Sequence, residues 1–227
     1  MRLRAVAIIL AASISVIAAP ITGDLDISGS VRIGADFADF TPLDMPPGSG
    51  LGNYNVEPTS TGTFAGLVIP ITENDGTIKD LNASIAPVGV PFSLPNFLVF
   101  AADPSITFEL TRINPGIFGA CAPGASTCSV NQFNLIDTGG ATVANFNVQG
   151  NIHSGTTVQT FQGSFSQSFA GQSIADILTT VGRQGFIDSA FEANFVTTPI
   201  PEPGTMTLFG VGSALTAVVS FMRRKRA

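Results

Sequence analysis

The chain has 227 residues, 44% of them hydrophobic and only 11% charged, with a formal net charge of −6. Its central part, Ala19 to Thr198, holds four cations (Arg32, Lys79, Arg112, Arg183) against 15 acids, a formal charge of −11. That balance repels phosphate backbones and anionic lipid, which excludes nucleic acid as a partner, and about 180 residues suffice for one domain with a substantial core.

The start of the chain reads as an export signal. Arg2 and Arg4 precede the apolar run Ala5–Ile17, and Ala18-Ala19 close it. A charged n-region, a 13-residue h-region and a small-residue cleavage site make a secretory signal peptide over residues 1–18, too short to span a membrane comfortably. Cleavage after Ala18 keeps Pro20 away from the scissile bond. The absence of an adjacent arginine pair points to the general secretory route, with signal peptidase as the processing enzyme.

The body, residues 19–198, alternates with period two. From Asp24 to Phe37 the odd positions are Leu25, Ile27, Gly29, Val31, Ile33, Ala35 and Phe37, and the even ones are polar except Gly34. The same pattern recurs at Ile106-Phe108-Leu110, Phe146-Val148-Gly150-Ile152, Phe161-Gly163-Phe165 and Phe191-Ala193-Phe195. Such runs are half-buried antiparallel strands, and Asp75-Gly76, Asn114-Pro115-Gly116 and Gly139-Gly140 are turn signals between them. The spacing predicts an all-β antiparallel β-sandwich whose core is built from 16 of the 18 phenylalanines. Thr41–Glu57, rich in proline and glycine, reads as a long surface loop that carries Tyr54. One short helix is expected at Ser173–Val181, with Ser173 and Asp176 as a capping box and Gly182 as its stop.

Candidate chemistry in the body is sparse. Cys121 and Cys128 are the only cysteines, and in an exported chain a lone pair at this spacing forms a loop-closing disulfide rather than a redox or metal site. Asp24-Leu25-Asp26-Ile27-Ser28-Gly29 opens like a calcium loop, but its twelfth position is Ala35 where a glutamate is required, so it reads as a strand face. Glu73-Asn74-Asp75-Gly76 reads as a hairpin turn rather than an ion site, and neither metal nor cofactor is expected. His153, the only histidine, falls on the polar side of a strand, which argues against a general base. Gly124-Ala125-Ser126-Thr127-Cys128 lacks the last glycine of a nucleophile elbow. The body is therefore expected to be non-enzymatic, although two acids a few ångströms apart would suffice for a carboxylate-based hydrolase.

The end of the chain says where the protein goes. Pro201-Glu202-Pro203 is followed by the uncharged run Gly204–Met222 and then by Arg223-Arg224-Lys225-Arg226. Those 19 apolar residues, as a single transmembrane helix, span roughly 28 Å, close to a bilayer core. The four cations hold that end in the cytoplasm. An ordinary anchor with a proline stop is the plainer alternative.

Motif, helix and basic cluster in this order resemble the tripartite C-terminal signal of PEP-CTERM proteins, here over residues 199–227. Phe92-Ser93-Leu94-Pro95-Asn96-Phe97-Leu98 and the Asn114-Pro115-Gly116 turn are similar to segments of other exported members. The resemblance implies that exosortase, a membrane-embedded transpeptidase-like enzyme, recognises the tail, and that an inner-membrane-anchored precursor passes to the cell surface or the medium. It also implies a setting of exopolysaccharide production. The expected function is thus that of an exported, non-enzymatic cell-envelope or extracellular-matrix protein. A polysaccharide-binding surface module is the alternative, although the chain has no tryptophan and one tyrosine for sugar stacking.

Overall fold

A computed structural model describes residues 20–43, 48, 50–69 and 74–198; the signal-peptide region and the tail lie outside them. Twelve strands and one helix are formed: β1 Asp24–Gly34, β2 Phe37–Phe40, β3 Leu51–Val56, β4 Gly76–Lys79, β5 Leu81–Asn82, β6 Leu94–Phe100, β7 Ile106–Ile113, β8 Thr127–Val130, β9 Phe133–Asp137, β10 Ala141–Ser154, β11 Thr157–Ala170, α1 Ile174–Gln184 and β12 Phe186–Thr197. A 3-10 turn, Gly62–Gly66, lies between β3 and β4.

The sheet is antiparallel and closes on itself. In spatial order the strands run β11-β12-β1-β3-β4-β6-β7-β10, and β10 pairs again with β11. The all-β expectation holds, but the architecture is an eight-stranded barrel with outer strands rather than a sandwich. Closure follows from the two 14-residue strands β10 and β11, which pair along their whole length while β11 also pairs with β12. In-and-out alternation is common to sandwiches and barrels, so the sequence pattern does not separate them; the strand register does. β2 and β5 pair beside β1, and β8 and β9 extend from β10.

Phenylalanine rings fill the interior. Phe165 touches the rings of Phe40, Phe97, Phe146, Phe191 and Phe195, with Phe146 stacked at 4.8 Å between centroids. Phe108 meets Phe64, Phe100, Phe161 and Phe195. Eight strands leave an interior that side chains alone can fill, and here rings from opposite walls meet. Inward glycines make the room: Gly29, Gly150 and Gly163 stand directly across from Phe191, Phe161 and Phe195, and each ring lies over its glycine.

Several local expectations are corrected. Strand β1 ends at Gly34, and the chain turns at Ala35-Asp36 before Phe37 begins β2. The Thr41–Glu57 segment is not all loop: Leu51–Val56 is β3, whose Gly52, Tyr54 and Val56 face inward. Tyr54 is 1% exposed and donates its hydroxyl to the Val99 carbonyl oxygen at 3.2 Å. Asp75-Gly76 is no hairpin turn, because Asp75 is 3% exposed and Gly76 opens β4. The Asp75 carboxylate accepts the backbone N–H groups of Val56 and Ile69 at 2.8 and 2.7 Å, and so pins the long connection between β3 and β4. The helix has the expected capping box at Ser173 and Asp176, but it runs past Gly182 to Gln184. Gly185, at φ 83°, is the left-handed residue that ends it.

Both ends of the described chain lie at one pole. Asp24 pairs with Val196, and the Thr197 hydroxyl donates to the Gly23 carbonyl at 3.0 Å. The 3-10 turn closes this pole with the buried Phe64 and clamps Thr22 through the Thr63 N–H, 2.7 Å from the Thr22 carbonyl. At the opposite pole lie the C-terminal end of β1, the β2 and β5 strands, the β8–β9 hairpin and α1. The helix lays Ile174 and Ile177 inward beside β9 and β12.

Candidate polar face

The outer face of β10, β11, β12 and β1 carries a side-chain ladder set by register. Asn147 stands across from Ser164, Ser164 across from Asn194, and Asn194 across from Asp26. On one side of this row run Gln149, Gln162, Val196 and Asp24; on the other run Asn145, Ser166, Glu192 and Ser28. Neighbouring strands lie ~4.8 Å apart, so two of the rows present a polar group at that interval over about 14 Å, and the third is interrupted by the exposed Val196. Asparagine is a poor strand former, which makes its recurrence at outward positions of long strands a departure from local preference.

Two depressions share this face. One, of about 320 Å³, is bordered by Asn114, Asn147, Gln149, Gln162, Ser164 and Asn194. The other, of about 570 Å³, is bordered by Asp26, Glu57, Thr59, Ser164, Ser166 and Glu192. Ser164 and Asn194 belong to both. The segment after β3 forms the wall of the larger groove: the Glu57 N–H donates to the Asp26 carbonyl at 2.8 Å, and the Ser60 hydroxyl accepts the Asp26 N–H at 3.0 Å. Within the groove the Ser28 hydroxyl donates to Glu57, and Asn194 Nδ2 donates to Asp26 Oδ1 at 2.7 Å. No lysine, arginine or histidine borders either depression, so the face offers amides, hydroxyls and carboxylates.

The residues singled out in the sequence are dispersed. Pro201, Glu202, Pro203, Arg223, Arg224, Lys225 and Arg226 lie outside the described residues, as does Glu73. Cys121 and Cys128 form a disulfide, with Cα atoms 4.8 Å apart. It holds the segment before β8 against that edge strand, where the Ser129 N–H donates to the Gly119 carbonyl at 2.9 Å. Ser126 precedes β8 in this loop. Asp24 and Asp26 are in β1, and among the described residues no three histidine, cysteine or acidic side chains are grouped to hold a metal ion.

His153 is half-exposed near the end of β10, with Nε2 3.1 Å from Glu109 Oε2. Ser93 donates to Glu109 Oε1 at 2.6 Å. The Ser93 hydrogen bond, followed by those from His153 and Asn151, holds the Glu109 carboxyl below the usual range. The serine is turned to the carboxylate and not to the imidazole, so this cluster is not arranged as a nucleophile with its base.

The ladder is what the sequence reading missed. Its signal is present in the outward positions Asn145, Asn147, Gln149, Gln162, Ser164 and Ser166, which are neutral amides and hydroxyls in place of lysine and glutamate. Only the register between distant strands turns those positions into rows.

Among the described residues no helix is long and apolar enough to cross a membrane. No curated protein and no solved structure matches the chain. Residues 199–226 match the family model of the PEP-CTERM protein-sorting motif. The chain thus carries, behind the barrel, the signal of an exported protein that exosortase sorts from a membrane-anchored precursor.

Proposed function

We propose that the barrel is a non-enzymatic polysaccharide-binding module, delivered by the general secretory route and left in the envelope or extracellular matrix once exosortase has acted on the tail. The amide and hydroxyl ladder on β10, β11, β12 and β1 carries this reading. A polysaccharide offers hydroxyl groups that both donate and accept, repeated along an extended chain. Rows of asparagine, glutamine and serine also do both, at fixed spacing and without a net cationic field. The interior aromatics are consumed by the core, so binding rests on hydrogen bonds, and moderate affinity per repeat is multiplied along the polymer.

One observation favours a second reading. Glu57 bonds Ser28, and Ser28 stands across from Glu192, so two carboxylates flank one serine in the larger groove. A glycoside hydrolase needs two acids in such a setting. The test uses the full-length protein in detergent on immobilised polysaccharides, with and without calcium, alongside a reducing-end assay. The binding reading expects retention that an Asn147→Ala, Asn194→Ala double variant weakens at least tenfold, with no new reducing ends. Sugar release abolished by Glu57→Gln would establish the hydrolase instead, and absence of retention on every polysaccharide would end the binding reading.

The sorting step has its own test. Proline fixes its own φ and disfavours helix in the residue before it, so a Pro-Glu-Pro sequence favours the extended form that a protease can pair with. Replacing the three with alanine in a host that has exosortase should leave an unprocessed, membrane-retained precursor on immunoblots. Equal release of both proteins at one apparent mass would reduce the tail to a plain anchor.

A further inference from the structure

At the pole where both chain ends emerge, the β10–β11 hairpin stands beyond the end of β12. The Thr198 N–H donates to the Thr160 carbonyl at 3.0 Å, which sets Thr198 beside Thr160. Strand β11 begins three residues earlier, at Thr157, after a turn at Gly155-Thr156. Three residues of strand cover about 10 Å, so the hairpin tip overhangs the exit of the tail by that much. We propose that this tip, residues 154–158, lies against the sorting enzyme while the enzyme holds Pro201-Glu202-Pro203. The proposal rests on the sorting role of the tail and is independent of polysaccharide binding.

The short tether carries it. Only Pro199 and Ile200 separate Thr198 from the motif, and three steps of fully extended chain reach at most about 11 Å. The barrel does not lengthen this reach cheaply. Gln159, 2% exposed, donates its Nε2 to the Thr198 carbonyl at 2.8 Å. One residue further back β12 is held on both sides, with Thr197 paired to Phe161 of β11 and its hydroxyl bonded to the Gly23 carbonyl. A folded domain of even 100 residues has a radius of gyration of ~13 Å, so an enzyme centred on the motif reaches past the overhanging tip.

The tip also suits contact with a protein. Ser154 pairs with Thr157 on one side and with Ile106 of β7 on the other, so the hairpin is braced where it projects. On the side of β12, among the described residues no strand pairs with residues 157–159 of β11. Such an open edge accepts an extended segment of a partner chain. Val158 is 49% exposed there, and residues 154–158 carry no charge, so anionic lipid headgroups have no ionic hold on them.

The experiment follows processing of the full-length precursor by pulse-chase in a host that has exosortase. Thr156 is exposed at the tip, and Thr156→Arg and Thr156→Glu should each slow tail removal about five- to tenfold. Ser168→Arg, exposed at the far end of β11, should leave the rate unchanged. A flexible Gly/Ser linker of about 12 residues inserted after Thr198 adds roughly 20 Å of reach and should return both tip variants to within about twofold of wild type. That recovery also shows that the barrel is folded, since a linker does not mend a misfolded domain. Unchanged processing in both tip variants, or equal slowing with and without the linker, would overturn the proposal. Opposite effects of Arg and Glu would overturn it too, and would assign the tip to the lipid surface. No tail removal in the wild type itself would refute the sorting reading, and the proposal with it.

Discussion

Two glycine-to-alanine substitutions should have opposite signs. A Cβ at Gly163 would lie 2.4 and 2.7 Å from ring atoms of Phe195 and 3.0 Å from Val148 Cγ2. That backbone is not in the left-handed region, so an alanine there carries no conformational penalty, and reduced freedom of the unfolded chain alone would stabilise by about 0.4–1 kcal/mol. The overlap must reverse this. Phe195 is fully buried and held by the rings of Phe108, Phe161 and Phe165, so it has nowhere to move. Overpacking of this kind costs about 1–3 kcal/mol, and Gly163→Ala is expected to destabilise by about that amount. Gly182 is the control: it lies inside α1 with nothing within 4 Å of an added Cβ. Gly182→Ala should stabilise by about 0.5–1 kcal/mol through helix propensity. Urea denaturation of the two variants against wild type, with the slopes compared to confirm a two-state transition, reads both numbers. Neutral or stabilising Gly163→Ala would refute the reading of the barrel wall as glycine–phenylalanine pairs. Recovery of stability on adding Phe195→Leu would localise the clash.

Cys121 and Cys128 should show no free thiol in native protein without reductant, and losing the bridge should cost about 2.5 kcal/mol on the loop-entropy model, read by urea denaturation of a double Cys→Ser variant. Because hydrogen bonds led by that from Ser93 depress the Glu109 pKa, its stabilising contribution is present above the ordinary carboxylate range and is lost as pH falls through the depressed value. The stability gap between wild type and Glu109→Gln, about 1 kcal/mol or less for so exposed a cluster, should therefore persist at neutral pH and vanish in strong acid. A gap that widens on acidification would contradict this assignment. The mature chain should begin at Ala19, and N-terminal sequencing that starts elsewhere would displace the cleavage site.

What the sequence made legible followed from side-chain period and local chemistry. Phe146, Val148, Gly150 and Ile152 announced an inward face because period two needs no partner to be seen. The Ser173–Asp176 capping box is likewise a contact between near neighbours. Closure was not legible, since it depends on β11 pairing with both β10 and β12. Tyr54 was misplaced because prolines and glycines before it masked a short strand of only six residues. Gly182 looked like a helix stop because glycine is the usual one, yet the helix continues through Arg183 and Gln184 to the left-handed Gly185. The polar face failed for the same reason as closure. Asn147 and Asp26 are 121 positions apart and become one row only through two intervening strands.

The placement of both ends at one pole has a mechanical consequence. Strands β1 and β12 are antiparallel neighbours whose ends leave side by side. If the two ends were pulled apart, the load would fall on the Asp24–Val196 pair and then on each next pair in turn, opening the seam like a zipper. Held by the tail alone, with a polymer gripped on the side of the barrel, β12 would instead be drawn lengthwise between β11 and β1, and its hydrogen bonds on both sides would resist together. With the N-terminal end free and the C-terminal end held, the load would thus run along the stronger direction, as the proposed polymer-binding role requires.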